Sequence, residues 1–359
     1  MNFFNKDTKS ALEAKDLAQF IAFGPVVFQV ARVMRDKGIL AEIEHKGSAG
    51  ITQDEIIEKV KLPEYGVRVL LESALGIGLV IVDENQKYHL TKTGYFILHD
   101  QLTRVNMDFV QDVCYKGLFH LEESIETGKP AGLKELGNWP TVYEGLSQLP
   151  SNIQKSWFAF DHFFSDIAFP AVIKEVYKNG TKNILDIGGN TGKWASMSVK
   201  HRDDIHVTIM DLPGQANMAK KRIDEMGLTD RVSFYPTNIL DENQPFPKGF
   251  DAIWMSQFLD CFSEEEIISI LRRCREAISD DGYVLILEAF WDRQRFETAA
   301  FCLQQTSIYF TAIANGNSQM YDSRVFNKCV TDAGFEIVEE KDGIGLSHTL
   351  LKCKKSKNN

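Results

Sequence analysis

The run NILDIGGNTG, residues 183–192, decides how the second half of this chain is to be read. It opens as a short β-rich strand and ends in a glycine turn, with Gly188, Gly189 and Gly192 following Asp186 before a helix that begins near Lys193. Glycine turns tightly and lets the backbone pass close to a ligand, while the start of a helix presents unpaired amides. Strand, turn and helix in that order open an α/β unit.

The same alternation continues outward from it. HVTIMDLP (206–213), RVSFYPTNIL (231–240), FDAIWMS (250–256) and GYVLILEAF (282–290) are β-rich runs, separated by helical stretches such as GQANMAKKRIDEMG (214–227) and SEEEIISILRRCREAI (263–278). This predicts an α/β, Rossmann-like parallel sheet, doubly wound with helices on both faces, over residues 151–359. In such a sheet the ligand lies outside the carboxyl ends of the strands, so the residues ending each strand are the ones to read for chemistry.

Upstream the pattern changes. Residues 20–34 carry apolar residues at helical spacing, TQDEIIEKV (52–60) reads as a capped helix, PEYGVRVLLESALGIG (63–78) as a second, and LVIVDENQKYHLT (79–91) as a hairpin turning at Asp83–Asn85. Two helices followed by a two-stranded wing predict a mostly α winged-helix domain over 1–105, joined to the sheet domain by a helical connector over 106–150. A winged helix often reads DNA, but residues 1–105 hold 13 Lys and Arg against 14 Asp and Glu, and the second helix offers little beyond Arg68 to reach phosphates. Dimerisation is the favoured role.

The bulk properties point to a soluble globular protein. The 359 residues carry a formal net charge of −10, which argues against a nucleic-acid partner. No window is apolar for long enough to span a bilayer and the N-terminus lacks a signal-peptide pattern, so a cytoplasmic protein without a membrane partner is expected. Six cysteines are scattered without CxxC or His at ligand spacing, so reduced thiols and no metal site are expected. The basic end KCKKSKNN (352–359) reads as a solvated tail.

Two strand ends supply matching pieces. Asp186 precedes the glycines, and Asp211 ends the next strand at a distance that suits a ribose. A carboxylate ahead of the glycines would repel a pyrophosphate but suits a ligand carrying an ammonium, as the methionine part of S-adenosylmethionine does.

Taken together, ILDIGGNTGKWA (184–195), IMDLP (209–213), the span 256–288, TVYEGLSQLP (141–150) and the winged-helix segment from Ile51 to Val80 resemble the small-molecule O-methyltransferases of the caffeic-acid and bacterial polyketide type. The resemblance covers nearly the whole chain. It implies a class I, S-adenosylmethionine-dependent enzyme acting on a small-molecule acceptor, and a homodimer formed through the N-terminal domain. It implies further that Gly188 and Gly189 lie against the donor's amino-acid moiety near Asp186, and that Asp211 holds the ribose. Asn238, with Ile239 beside it, falls where Asp commonly meets the adenine amino group, and its side-chain carbonyl can accept the same bond. Phe262 falls where an aromatic packs on the adenine, and Ser256 where plant members carry Lys. Asn190 replaces a frequent glycine and is among the few residues that tolerate a left-handed backbone. Phe160, His162 and Phe163 fall in the region that lines the acceptor pocket, where a packed core role competes with a site role.

The principal departure is SQFLDCFSEEE, 256–266. The family places a basic His where this chain has Asp260, and the first of two supporting carboxylates falls at Glu288, while the second falls at Met320. Three readings of Asp260 follow: a base whose proton affinity is raised by Glu288 and burial, a hydrogen-bonding positioner in a reaction driven by proximity, or a helix cap, for which Ser263 is the better candidate. Positioning is preferred over base catalysis, and the cap comes last. Two other functions stay open: N- or C-methylation or non-methylating chemistry on the same fold, and a winged-helix regulator with S-adenosylmethionine as its ligand.

Overall fold

The computed structural model describes residues 3–178 and 180–357, and the chain divides into two compact units between Val110 and Gln111. The first contains helices α1 (Ala11–Ala22), α2 (Gly24–Asp36), α3 (Ile39–Lys46), α4 (Gln53–Val60), α5 (Glu64–Ile77), α6 (Lys92–His99) and α7 (Gln101–Phe109), with the antiparallel hairpin β1 (Val80–Val82) and β2 (Tyr88–Leu90) between α5 and α6. Thr52 caps α4 through a reciprocal pair with Glu55, and Gly78 ends α5 in the left-handed region. In the turn of the hairpin, Asp83 Oδ1 accepts the amides of Asn85 and Lys87. Met34, Ile39, Leu40, Ile43, Ile56, Val67 and Leu71 form this unit's core. Helix α1 buries no residue, and Leu12, Leu17, Phe20 and Ile21 are exposed. No single helix among the described residues is long and apolar enough to cross a membrane, although the bent pair α1–α2 passes on length and composition.

The second unit begins with short helices α8 (Leu121–Thr127) and α9 (Val142–Gly145), which lie in the segment expected as a connector, and continues into the long α10 (Ser151–Tyr177). Then β3 (Asn183–Ile187), α11 (Lys193–His201), β4 (His206–Asp211), α12 (Pro213–Glu225), β5 (Val232–Pro236), β6 (Ala252–Ser256), α13 (Glu264–Ala277) and β7 (Tyr283–Ala289) alternate as expected. Helices α14 (Glu297–Tyr309) and α15 (Ser323–Asp332) precede a closing pair of strands, β8 (Phe335–Ile344) and β9 (His348–Lys355).

The seven strands are ordered β5-β4-β3-β6-β7-β9-β8. Strands β3 to β7 run parallel, and β9 pairs antiparallel with both β7 and β8. The sheet is therefore mixed where the sequence pattern implied a parallel one. The basic tail is also corrected: Lys352–Lys355 ends β9, with Cys353 fully buried, Lys352 Nζ 3.8 Å from the centroid of the Tyr283 ring, and Lys355 paired with Asp280. Side chains alternate across a strand, so its lysines lie outside while Cys353 points into the core, and only the buried alternate positions reveal the strand.

Both faces of the sheet are covered, which explains why its strands read as nearly continuous apolar runs. On one face Leu185, Ile187, Ile253 and Met255 pack with Ile267, Ile270 and Leu271 of α13 and Phe326 of α15. On the other, Ile184, Ile209, Trp254 and Leu285 pack with Val172 of α10 and Trp194 and Val199 of α11, and the Trp194 and Trp254 rings stack at 4.2 Å. Strand β3 lies between β4 and β6, the two neighbours reached by opposite crossovers, so the order reverses at its carboxyl end and a crevice opens there.

Candidate active site

Two left-handed glycines shape the turn after β3, Gly188 at φ 75° and Gly192 at φ 73°. A Cβ on Gly188 would lie 2.2 Å from the Phe258 ring, and one on Gly189 would lie 2.9 Å from Asp186 Oδ2. Asn190 adopts φ 47°, which lets its amide donate to Asp211 Oδ2 at 2.7 Å, while Leu212 N–H donates to Asp211 Oδ1 at 2.7 Å. The two strand ends are thus tied by the loop between them.

Beside this turn is a cavity lined by Asp161, His162, Asp186, Gly188, Gly189, Asn190, Thr191, Lys193, Ser256 and Gln257, among others. Asp186 is 2% exposed, and among the described residues its Oδ2 has no hydrogen-bond partner, nor do Ser256 Oγ and Gln257 Oε1. Burial, reinforced by Asp211, raises the Asp186 carboxyl well above its ordinary range, and burial holds Asp211 up to about 6. An orphaned buried acceptor is costly unless a ligand completes it. A donor bearing an ammonium and a sulfonium meets that need: Asp186 would take the ammonium, and Asp211 keeps lone pairs for a ribose. The residues present fit S-adenosylmethionine.

The rest of the expected donor set divides. Asn238 is exposed, and its Oδ1 already accepts the Leu240 amide at 3.0 Å, leaving its second lone pair for an adenine amino group. Ile239 is buried and its carbonyl accepts from Arg273. Phe262 is buried in the core beneath α13, edge-on to Phe258 at 4.9 Å.

Asp260 lies in a 3-10 turn after β6, 6% exposed, with the Cys261 thiol 3.4 Å from its Oδ1. Burial pushes its carboxyl up to about 6. Ser263 caps α13 through a reciprocal pair with Glu266, so Asp260 is free of that task. Glu288 is 1% exposed at the end of β7, and its Oε1 accepts the amides of Phe258 at 2.9 Å and Leu259 at 2.8 Å. Burial and the neighbouring Asp260 hold its carboxyl well above the ordinary range. Glu288 thus clamps the turn that carries Asp260 through Oε1, while its Oε2 has no hydrogen-bond partner among the described residues.

His162 borders the same cavity as Asp186. Its Nε2 is 3.4 Å from Thr191 Oγ1, beside the glycine loop, and burial with Lys193 nearby lowers it to about 4, so it is neutral. Phe160 and Phe163 each pack edge-on against Phe164, at 5.4 and 5.7 Å, and Phe164 contacts His348.

The sequence reading missed Asp161. Its Oδ2 accepts from Asn190 Nδ2 at 3.3 Å, and burial together with the Asp260 charge pushes it up to about 7. Also missed was an aromatic group in which Trp157 Nε1 donates to the Tyr309 hydroxyl at 2.8 Å and Tyr143 lies near Cys261 and Asp260. An acid inside the apolar run WFAFDHFF was the available signal for Asp161. Among the described residues no group of three or more His, Cys, Asp or Glu side chains is placed to hold a metal ion.

Comparison with known proteins places this geometry. Residues 159–336 match the O-methyltransferase domain family, and residues 15–88 match the Dimerisation2-like domain. The chain belongs to the S-adenosylmethionine-dependent methyltransferases. The methyltransferase is 24% identical over 330 residues to L-tyrosine C(3)-methyltransferase of Streptomyces lavendulae, covering 91% of this chain and 88% of that protein. It is also 24% identical over 269 residues to 2,7-dihydroxy-5-methyl-1-naphthoate 7-O-methyltransferase of Streptomyces carzinostaticus, covering 74% and 77% of the two. In fold, the methyltransferase is similar to the S-adenosylmethionine-dependent methyltransferase SibL, with a TM-score of 0.70 at 23% identity over 94% of this chain and 98% of that one.

Proposed function

We propose that the protein methylates a hydroxyl on a small aromatic or polyketide-like molecule, as a cytoplasmic homodimer whose N-terminal winged-helix domain supplies the dimer contact. The observation that carries the acceptor class is the pairing of two proton-seeking carboxyl groups, Asp161 and Asp260, with the aromatic side chains Tyr143, Trp157 and Tyr309 next to the donor cradle. Flat apolar walls hold a ring, and a carboxylate can draw the proton from its hydroxyl. The naphthoate O-methyltransferase similarity supports the same reading. The Dimerisation2-like domain and the exposed apolar face of α1 support the dimer.

When bound, S-adenosylmethionine supplies a methyl group on a sulfonium, which departs as a neutral thioether as the acceptor atom takes the methyl. The chain's residues do the rest. Gly188 and Gly189 give the close approach, Asp186 would hold the ammonium, Asp211 the ribose, and Asn238, Ile239 and Phe262 the adenine. Glu288 fixes the turn of Asp260 through two amides, so the acceptor is aligned rather than merely enclosed, and alignment is the main requirement of an in-line displacement.

A second reading is favoured by one observation: the relative that spans 91% of this chain is a C-methyltransferase. Loss of a phenolic proton activates the ring carbon beside the oxygen as well as the oxygen itself. Incubation with methyl-labelled S-adenosylmethionine and 1,4-dihydroxy-2-naphthoic acid, 3-amino-4-hydroxybenzoate or L-tyrosine, followed by NMR of the product, separates the two. Label on a phenolic oxygen is expected; label on ring carbon alone would replace the first reading with the second.

A further inference from the structure

Asp161 stands where the donor cradle and the acceptor side meet. Its Oδ2 accepts from Asn190 Nδ2 at 3.3 Å, and its carbonyl accepts from Gln257 Nε2 at 3.5 Å, so it is pinned between the glycine loop and the end of β6. It borders the same cavity as Asp186, whose unpartnered Oδ2, in a residue 2% exposed, independently marks a positively charged ligand there. Asp260 does not border that cavity, is 6% exposed, and has the Cys261 thiol against one oxygen.

We propose that Asp161, rather than Asp260, is the proton acceptor in methyl transfer, and that the arriving donor's positive charge makes it competent. The proposal rests on the methyl-transfer reading above. Asp260 then positions the acceptor.

The charges around Asp161 support this coupling. Asp260 faces it from the 3-10 turn, Lys193 from α11, Asp166 and His162 from its own helix, and Tyr309 from α14. Lys193 is already paired with Asp166 and His162 is neutral, which leaves the Asp260 charge uncompensated. That environment, with burial, holds Asp161 up to about 7. A cation entering the cavity favours the ionised carboxylate. In the reaction the acceptor's O–H bond breaks and its proton moves to Asp161, while the electron pair left on oxygen forms the bond to the methyl carbon as the carbon–sulfur bond breaks and its pair stays with the departing thioether. The proton leaves to solvent after the product.

Calorimetry tests this without any acceptor, so a wrong acceptor assignment leaves the measurement intact. S-adenosylmethionine and the neutral S-adenosylhomocysteine are titrated into the protein at pH 7 in buffers of different ionisation enthalpy. The sulfonium ligand is expected to release about half a proton more than the thioether, as a group half-protonated at that pH requires. The excess is expected to vanish in Asp161→Asn and to persist in Asp260→Asn, reduced because the Asp260 charge no longer raises Asp161. An excess that survives Asp161→Asn, or that Asp260→Asn removes, overturns the proposal, as does no excess in the wild type. If Asp161→Asn does not fold, the wild-type affinity ratio of the two ligands decides: it should rise with pH about a midpoint near 7, and a flat ratio, or a rise confined below about 6, overturns it.

Discussion

Gly188→Ala tests whether the glycine turn and the catalytic turn are one packed unit. The backbone at 188 has φ 75°, where a residue with a Cβ costs about 1–2 kcal/mol. The added methyl would sit 2.2 Å from Phe258 Cδ2 and 2.6 Å from Cγ, far inside carbon–carbon contact at about 3.5–4.0 Å, so the ring must move by more than about 1 Å. Moving it gives up the edge contact with Phe262, at 4.9 Å and 65°, worth about 0.5–1.5 kcal/mol. The sum is about 2–3 kcal/mol, and the displaced Phe258 also pulls on the amide that Glu288 holds. Urea unfolding should show that loss, and calorimetry should show S-adenosylhomocysteine bound at least tenfold more weakly. A loss below about 0.5 kcal/mol with unchanged affinity would refute the reasoning, because Phe258 would then be free to step aside without consequence.

Two other perturbations separate charge from hydrogen bonding. Glu288→Ala leaves the buried amides of Phe258 and Leu259 without an acceptor and is expected to cost about 2–5 kcal/mol, whereas Glu288→Gln keeps an acceptor oxygen and should cost under about 1 kcal/mol; equal losses in denaturant melts would show that the charge, not the clamp, matters. Asp260 binds its proton up to about 6 in the folded protein against 3.8 ordinarily, so between about pH 4 and 6 the unfolded chain sheds that proton first and folding stability falls as pH rises. Asp260→Asn does not titrate and should therefore gain stability relative to wild type across that window, and a difference in melting temperature that stays constant from pH 4 to 7 would contradict the assignment.

The donor half of the site was legible because it is local. Strand, glycine turn and helix lie within NILDIGGNTG, and a positive φ at Gly188 or Asn190 is a demand that few residues meet, so the residue types announce the geometry. Asp211 was legible for the same reason: the second strand must end beside the first when both are parallel. The closing strands β8 and β9 were not, because Lys352 and Lys354 along β9 look like a solvated tail until their neighbour Cys353 is seen buried against β7.

By itself, then, the sequence determined the alternation that forces a sheet covered on both faces and the strand ends at which a ligand must lie, and its family resemblance marked Asp260 as standing in the place of a histidine. Only the tertiary structure decided what surrounds Asp260. Glu288 is spent on the amides of the turn that bears Asp260, His162 turns toward Thr191, and Asp161, unremarkable within its helix, borders the cavity beside Asp186. Roles of this kind depend on which oxygen is already bonded and which groups are buried together. Those are properties of contacts between residues far apart in the chain, as between Asp161 and Asn190 or Gln257, 29 and 96 positions away, and spacing along the chain does not encode them.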